Sequence, residues 1–381
     1  MARTVVLGGG FGGLSVATGL RESVGEEHEI VLIDRSSSFL MGLRKLWAVV
    51  GIGSLEAGTR DRYGLEGSGI RFVQREILAI DPSNRTVHLN DGSLAADYLV
   101  VALGAVPRPD LVPGLAEYAQ NVWDVAGVPA MKEQLGSFDG GEIVIAIAGM
   151  PYTCPPAPFE CVMLLDDYLR KRGLRDRSSL MITTPKPILL PNAGVEGSAW
   201  LAEQLAARGI RYETGREVVG VEAGRVEYAN GEAEFDLLVG VPPHRPPTVV
   251  AKSGLGGPGG WSAVDPETLE TTFKNVFAIG DVTKISLANG LPLPKAGVMA
   301  ELEGQRVARA IAADISGDAP TEPFDGKGYC FLEMSATTAA FIEGEFFAEP
   351  QPRVSVRGES ADHAARKHRF EAERLESWFG A

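Results

Sequence analysis

Apolar runs that break off into glycine recur along this chain. Thr4-Val-Val-Leu7 is continuously apolar, the pattern of a short strand buried on both faces, and Gly8-Gly-Gly-Phe-Gly-Gly13 follows at once. Helical spacing then runs from Leu14 to Leu20, and a second strand pattern, Glu29 to Ile33, ends at Asp34. Buried-strand patterns return at Tyr98-Leu-Val-Val-Ala-Leu-Gly-Ala105 and Asn275-Val-Phe-Ala-Ile-Gly-Asp-Val282. Between these two lie predicted strands at 142–148, 179–183, 218–222, 225–228 and 237–240, with helices at 159–171 and 196–208. Beyond them come a long helix at 296–311, strands at 328–334 and 338–347, and a terminal helix at 362–379. Such alternation predicts an α/β protein with parallel sheets.

Gly8, Gly10 and Gly13 have the G-x-G-x-x-G spacing of a dinucleotide turn. One glycine makes the turn, one lets the backbone approach a pyrophosphate, and one lets helix and strand pack closely. The helix start offers free N–H groups to phosphate, and Asp34 stands where an acid binds ribose hydroxyls. The 98–105 strand and the run Phe277-Ala-Ile-Gly-Asp281 resemble the two later signatures of FAD-binding two-dinucleotide flavoproteins. That resemblance implies FAD, with Asp281 at its ribityl or pyrophosphate region; the alternative for Asp281 is a helix cap. It also implies two Rossmann-like domains of the FAD/NAD(P)-binding type, the second inserted in the first. The expected FAD domain is 1–105 with 265–315, the insert is 106–264, and 316–381 is an α+β segment covering the flavin.

The second nucleotide turn is replaced. After the strand ending Ile145-Ala-Ile-Ala148, only Gly149 remains, followed by Met-Pro-Tyr-Thr-Cys154-Pro-Pro-Ala-Pro158. Prolines remove backbone donors and any side chain blocks a pyrophosphate, so the usual nicotinamide cradle is missing. No C-x-x-C or C-x-x-x-x-C lies in the first domain, which excludes the glutathione-reductase pattern.

Three motifs, Tyr152-Thr-Cys-Pro-Pro-Ala-Pro-Phe-Glu160, Leu293-Pro-Lys-Ala-Gly-Val298 and Gly328-Tyr-Cys-Phe-Leu-Glu333, resemble the sulfide-oxidising flavoproteins. That family holds the sulfide:quinone oxidoreductases and the flavoprotein of flavocytochrome c sulfide dehydrogenase. The resemblance implies that Cys154 and Cys330 form a redox-active pair, a disulfide that sulfide opens to a persulfide and a thiolate. Electrons then pass to the flavin as sulfane sulfur is released. Glu160 matches the family's proton acceptor, against the alternative of a carboxylate capping the next helix. Lys295 matches a lysine that stabilises the anionic reduced flavin, with Ala296 and Gly297 opening a helix beside it. The same resemblance extends the cofactor set to Phe11, Gly12, Arg35, Arg44, Ile77, Ala102, Leu103, Gly104 and Gly280. Cys161 is expected to be a small buried hydrophobe. No cysteine precedes Cys154, so the FAD is expected to be non-covalent.

Composition adds exclusions. A net charge of −14 on 381 residues leaves no basic footprint for nucleic acid. No apolar run is long enough to span a membrane, and the opening Met-Ala-Arg-Thr leads straight into a strand, so a cytoplasmic location is expected. The terminal helix carries Phe370, Leu375, Trp378 and Phe379 on a narrow stripe, fitting packing on its own domain or a partner better than burial in lipid. Peripheral membrane contact and a homodimer stay open. Phe341, Phe346 and Phe347 either line an acceptor pocket or fill the core, while 242–247 and 254–260 read as loops without chemistry. The expected partners are sulfide or a small sulfur compound as donor and a quinone or cytochrome as acceptor, with no metal. Competing readings are an NAD(P)H-dependent reductase on the same scaffold and a non-catalytic FAD redox sensor.

Overall fold

The computed structural model describes residues 2–380. Its first sheet is wholly parallel and runs, edge to edge, Val276–Ala278, Tyr98–Val101, Arg3–Leu7, Glu29–Asp34 and Arg71–Gln74. The late strand Val276–Ala278 closes a sheet begun at the N-terminus, so the intervening chain leaves and returns. Val5, Val6, Leu7 and Val31 are fully buried because both faces are covered, which is why the strands read as unbroken apolar runs. One face packs on the first helix, Phe11–Ser23, and on the central helix, Gly297–Ser316; the other packs on Ile80, Val87 and Val250.

A second parallel sheet runs Arg211–Glu213, Ser178–Thr183, Gly141–Ile147 and Leu237–Val241. The helix Ala157–Lys171 packs on it and buries Phe159, Cys161, Val162 and Leu165. A third, antiparallel sheet pairs Lys327–Glu333, Ala339–Glu345 and Arg353–Ser360. Its side chains serve both halves: Leu332, Met334 and Ile342 enter the core of the second sheet, while Phe346 enters that of the first. The terminal helix, Ala361–Phe379, buries Phe370, Leu375 and Trp378 against this chain, and Trp378 packs edge-on to Phe11 and Phe39. Its apolar stripe is thus used internally.

Three elements carried no clear pattern in the sequence. The helix Arg44–Val50 is short, the hairpin strands at 77–95 are largely exposed, and Arg353–Ser360 alternates arginine, serine and valine on an open edge.

Candidate active site

Two adjoining cavities cross the first half of the molecule. The larger, about 820 Å³, is lined by Gly8, Gly10, Asp34, Arg35, Ile77, Ala102, Leu103 and Gly104. Its floor is the turn between the first strand and the first helix. A Cβ on Gly13 would lie 1.8 Å from the Gly8 carbonyl oxygen, so close packing here requires glycine. Gly10 has open space before it, and the helix start has no side-chain cap, leaving its N–H groups for an anion. The Gly9 N–H donates to Asp34 Oδ2 at 2.8 Å, and the buried Arg62 braces the turn by donating to the Gly9 carbonyl at 2.7 Å.

The second cavity, about 280 Å³, begins at Phe11, next along the chain from Gly10, and is lined by Asp281, Lys295, Ala296, Gly297, Cys154, Glu160 and Cys330. Asp281 Oδ1 is buried without a hydrogen-bond partner, an acceptor awaiting a donor. Burial raises the Asp281 pKa against the pull of Lys295, and burial likewise pushes Glu303, which accepts the Gly280 N–H, up to about 7. Lys295 Nζ donates to the carbonyls of Asp281 (2.8 Å) and Thr283 (2.7 Å) and stands 3.9 Å from the centre of the Trp261 ring. Burial pushes Lys295 down to about 8, with Asp281 opposing. An open glycine turn, a ribose-binding acid, an orphan buried acceptor and a buried cation fit FAD extended from the first cavity into the second.

The sulfur side is built by the replaced turn. Between Ile147 and Ala157 the chain makes a long excursion in which Cys154 adopts φ +57°, a left-handed conformation rare outside glycine. It is held there because its N–H donates to the Lys295 carbonyl at 2.6 Å and its carbonyl accepts the Ala157 N–H at 2.9 Å. Cys330 arrives from the third sheet and lines the same cavity, close enough to Cys154 to be the leading influence on its thiol; both cysteines are free. Contact with Cys330, then burial and the Glu160 charge, raise the Cys154 pKa well above the ordinary thiol value. Cys161 is 2% exposed in the core of the second sheet, as expected of a small hydrophobe.

Glu160 does more than cap a helix. Its Oε1 accepts the Glu333 backbone N–H at 3.0 Å and the Lys367 ammonium at 2.7 Å. Lys367 also lies 3.0 Å from Glu333 Oε2, and the Trp47 indole donates to the other Glu333 oxygen. Burial alone would lower the Lys367 pKa, but the two carboxylates outweigh it and hold the amine above its ordinary value. This buried acid–base–acid cluster ties the helix Ala157–Lys171, the third sheet and the terminal helix together behind the cysteines.

Two expectations change. Arg44 lies outside the linings of both cavities; its guanidinium is paired with Glu371 and sits over Trp47. The 242–247 segment is the brace of the cysteine turn. A Cβ on Gly149 would come 2.7 Å from Pro243, so a proline ring occupies the approach to the only glycine left in that turn. The His244 N–H donates to the Pro151 carbonyl at 2.7 Å, and burial pushes its imidazole down to about 4, keeping it neutral. Lys45, Glu333 and Lys367 were missed as well. Gly12 is buried where the first helix crosses the central helix, Gly13 is buried against the Gly8 carbonyl, and Phe341 packs at a tilt on Tyr329 and Phe331.

Comparisons with known proteins agree with this geometry. Residues 2–155 match the pyridine nucleotide-disulphide oxidoreductases, and residues 129–236 match the central part of the sulfide dehydrogenase [flavocytochrome c] flavoprotein chain. The chain is 25% identical over 365 residues to the mitochondrial sulfide:quinone oxidoreductase of Mus musculus, covering 91% of this chain and 78% of that one. It is also 25% identical over 353 residues to the type II NADH:quinone oxidoreductase of Staphylococcus aureus, covering 85% of each. In fold it is similar to the sulfide:quinone oxidoreductase of the hyperthermophilic bacterium Aquifex aeolicus, with a TM-score of 0.87 at 24% identity over 100% of this chain and 92% of that one. The chain is thus similar over most of its length to the sulfide:quinone oxidoreductases, and in part to the flavocytochrome c sulfide dehydrogenase flavoprotein chain and the pyridine nucleotide-disulphide oxidoreductases.

Proposed function

We propose that this protein oxidises sulfide, or a persulfide, at the Cys154–Cys330 pair and passes the electrons through non-covalently bound FAD to a quinone. The observation that carries this reading is the meeting of the two thiols in the cavity suited to the flavin, on a turn whose nucleotide approach is filled by Pro243.

In the oxidised state the pair is a disulfide. Hydrosulfide attacks one sulfur, forming a persulfide and releasing the other cysteine as a thiolate. FAD, when bound, would supply the two-electron carrier between the departing sulfane sulfur and the acceptor. The chain's own groups arrange this exchange. The left-handed turn presents Cys154 to the cavity, and Glu160, which lines that cavity with both cysteines and accepts the Lys367 ammonium, takes the proton that sulfur gives up. Lys295 sets a positive charge against the reducing end of the cavity.

The acceptor end is aromatic. Phe331 and Phe370 line the cavity with their ring centres 6.2 Å apart, a setting for a small planar acceptor. No helix among the described residues is long and apolar enough to cross a membrane.

The NADH-dependent relative makes nicotinamide the second reading, and one experiment separates the two. Under anaerobic conditions sulfide should bleach the flavin absorbance within seconds, and NADH should not. Bleaching by NADH alone overturns the proposal. Denaturation should release all the flavin into the supernatant, as non-covalent binding requires.

A further inference from the structure

Three lysines line the cavity that holds the two cysteines, and their hydrogen bonds set them apart. Lys367 is clamped between Glu160 and Glu333, at 2.7 and 3.0 Å. Lys295 gives its hydrogens to two carbonyls and faces Trp261. Lys45 has one acceptor, the Trp123 carbonyl at 2.7 Å, and forms no salt bridge among the described residues. An ammonium carries three donors, so Lys45 keeps two for the cavity it lines.

Lys45 is also fixed relative to the reactive sulfur. Trp123, whose carbonyl it holds, donates its indole N–H to the Thr153 carbonyl at 3.1 Å, one residue before Cys154. Of the groups around the amine, burial pulls its pKa down while Cys154 and Asp124 oppose; His244, on the far side of the turn, feels its charge. The other two cations of the cavity are already held, the Lys367 ammonium by two carboxylates and the Lys295 ammonium by the Asp281 and Thr283 carbonyls. An anionic sulfur entering beside Glu160 needs a compensating cation.

We propose that Lys45 is the anion-binding residue of the sulfur site, holding hydrosulfide as it arrives and the Cys154 thiolate once the disulfide opens. The inference rests on the sulfur chemistry proposed above. In that step hydrosulfide bonds to the Cys330 sulfur as the Cys154–Cys330 bond breaks. One S–S bond replaces another, the proton stays on the persulfide, and the single negative charge moves to Cys154 beside Lys45. No electron leaves the sulfur atoms.

The test compares wild type with Lys45→Met, which keeps length without charge, and Lys45→Arg, which restores it. Lys45→Gln serves as the second neutral variant should methionine disturb folding. In anaerobic stopped-flow, the neutral variants should need about tenfold more sulfide for half-maximal flavin reduction, equivalent to ~1.4 kcal/mol, and arginine should recover most of the loss. In the reduced protein, iodoacetamide should alkylate Cys154 about tenfold more slowly at a fixed pH in the neutral variants. Unchanged alkylation together with unchanged sulfide dependence overturns the inference. If sulfide fails to reduce the wild-type flavin, the functional reading falls by itself, and the alkylation rates alone decide whether Lys45 supports the thiolate.

Discussion

The two strand-to-helix turns of this molecule, Gly8–Gly10 and Ala148–Pro156, occupy equivalent places in two parallel sheets and do opposite things. In the first, the helix starts right after the strand, and glycines let backbone N–H groups stand bare before an open cavity. In the second, the chain takes a detour, prolines remove the donors, and Pro243 fills the space over Gly149. Both turns depend on a glycine at a close approach: Gly13 meets its own turn's carbonyl, and Gly149 meets a proline ring from the 242–247 segment. The difference shows that topology supplies a position and the loop chemistry decides what it holds. A short bare turn receives an anion, and a long braced turn mounts a thiol.

That contrast can be broken from either side. Cys154→Ser should remove the second turn's function outright: reduction of the flavin by sulfide should slow at least a thousandfold, about 4 kcal/mol, with flavin content unchanged. A serine variant that still reduced rapidly would separate the turn from the chemistry. Gly13→Ala attacks the first turn, where a Cβ would lie 1.8 Å from the Gly8 oxygen. It should cost about 3 kcal/mol and release FAD, seen as a lower Tm and a colourless protein, while the cysteines keep their reactivity toward maleimide.

Lys295, whose carbonyl holds the Cys154 N–H of the second turn, gives a pH signature. Its folded value of about 8 lies below the ordinary 10.5, so between these values the unfolded chain binds a proton that the folded chain has shed. Stability should therefore rise with pH across that window, by up to about 3 kcal/mol, while below it the cost of burying the charge is fully present. Denaturant midpoints of flavin-stripped protein, measured against Lys295→Met at pH 7.5 and 10, check this; a constant difference would exclude it. His244→Ala, which keeps the backbone bond to Pro151 but removes the imidazole contacts with Thr153 Oγ1 (3.4 Å) and the Pro242 carbonyl (3.0 Å), should slow sulfide oxidation about tenfold without loss of FAD, an effect of ~1.4 kcal/mol.

The first turn was legible because its signal is local. Strand, glycines, helix and acid lie within the stretch from Thr4 to Asp34, and the same locality made the parallel sheets readable from unbroken apolar runs. The second turn was legible only as an absence, prolines where glycines belong, until the likeness to known sulfide oxidisers paired Cys154 with Cys330. Nothing local marks Lys367, which meets Glu160 across 207 residues of chain, or Glu333, which reads as one more polar position in a strand. His244 lay in a proline-rich stretch whose backbone, not its composition, makes the contact. Arg44 went the other way: the resemblance put it in the cofactor set, whereas Glu371, brought up by the terminal helix, pairs with it outside both cavity linings.

The left-handed backbone of Cys154 carries a cost that folding alone would not retain. An L-residue at φ +57° gives up about 1 kcal/mol that glycine would not. Cys154→Gly should accordingly raise Tm slightly while abolishing turnover, and a library screened only for heat resistance should enrich glycine here. At this position durability and reactivity pull in opposite directions, and the residue present records which of the two was selected.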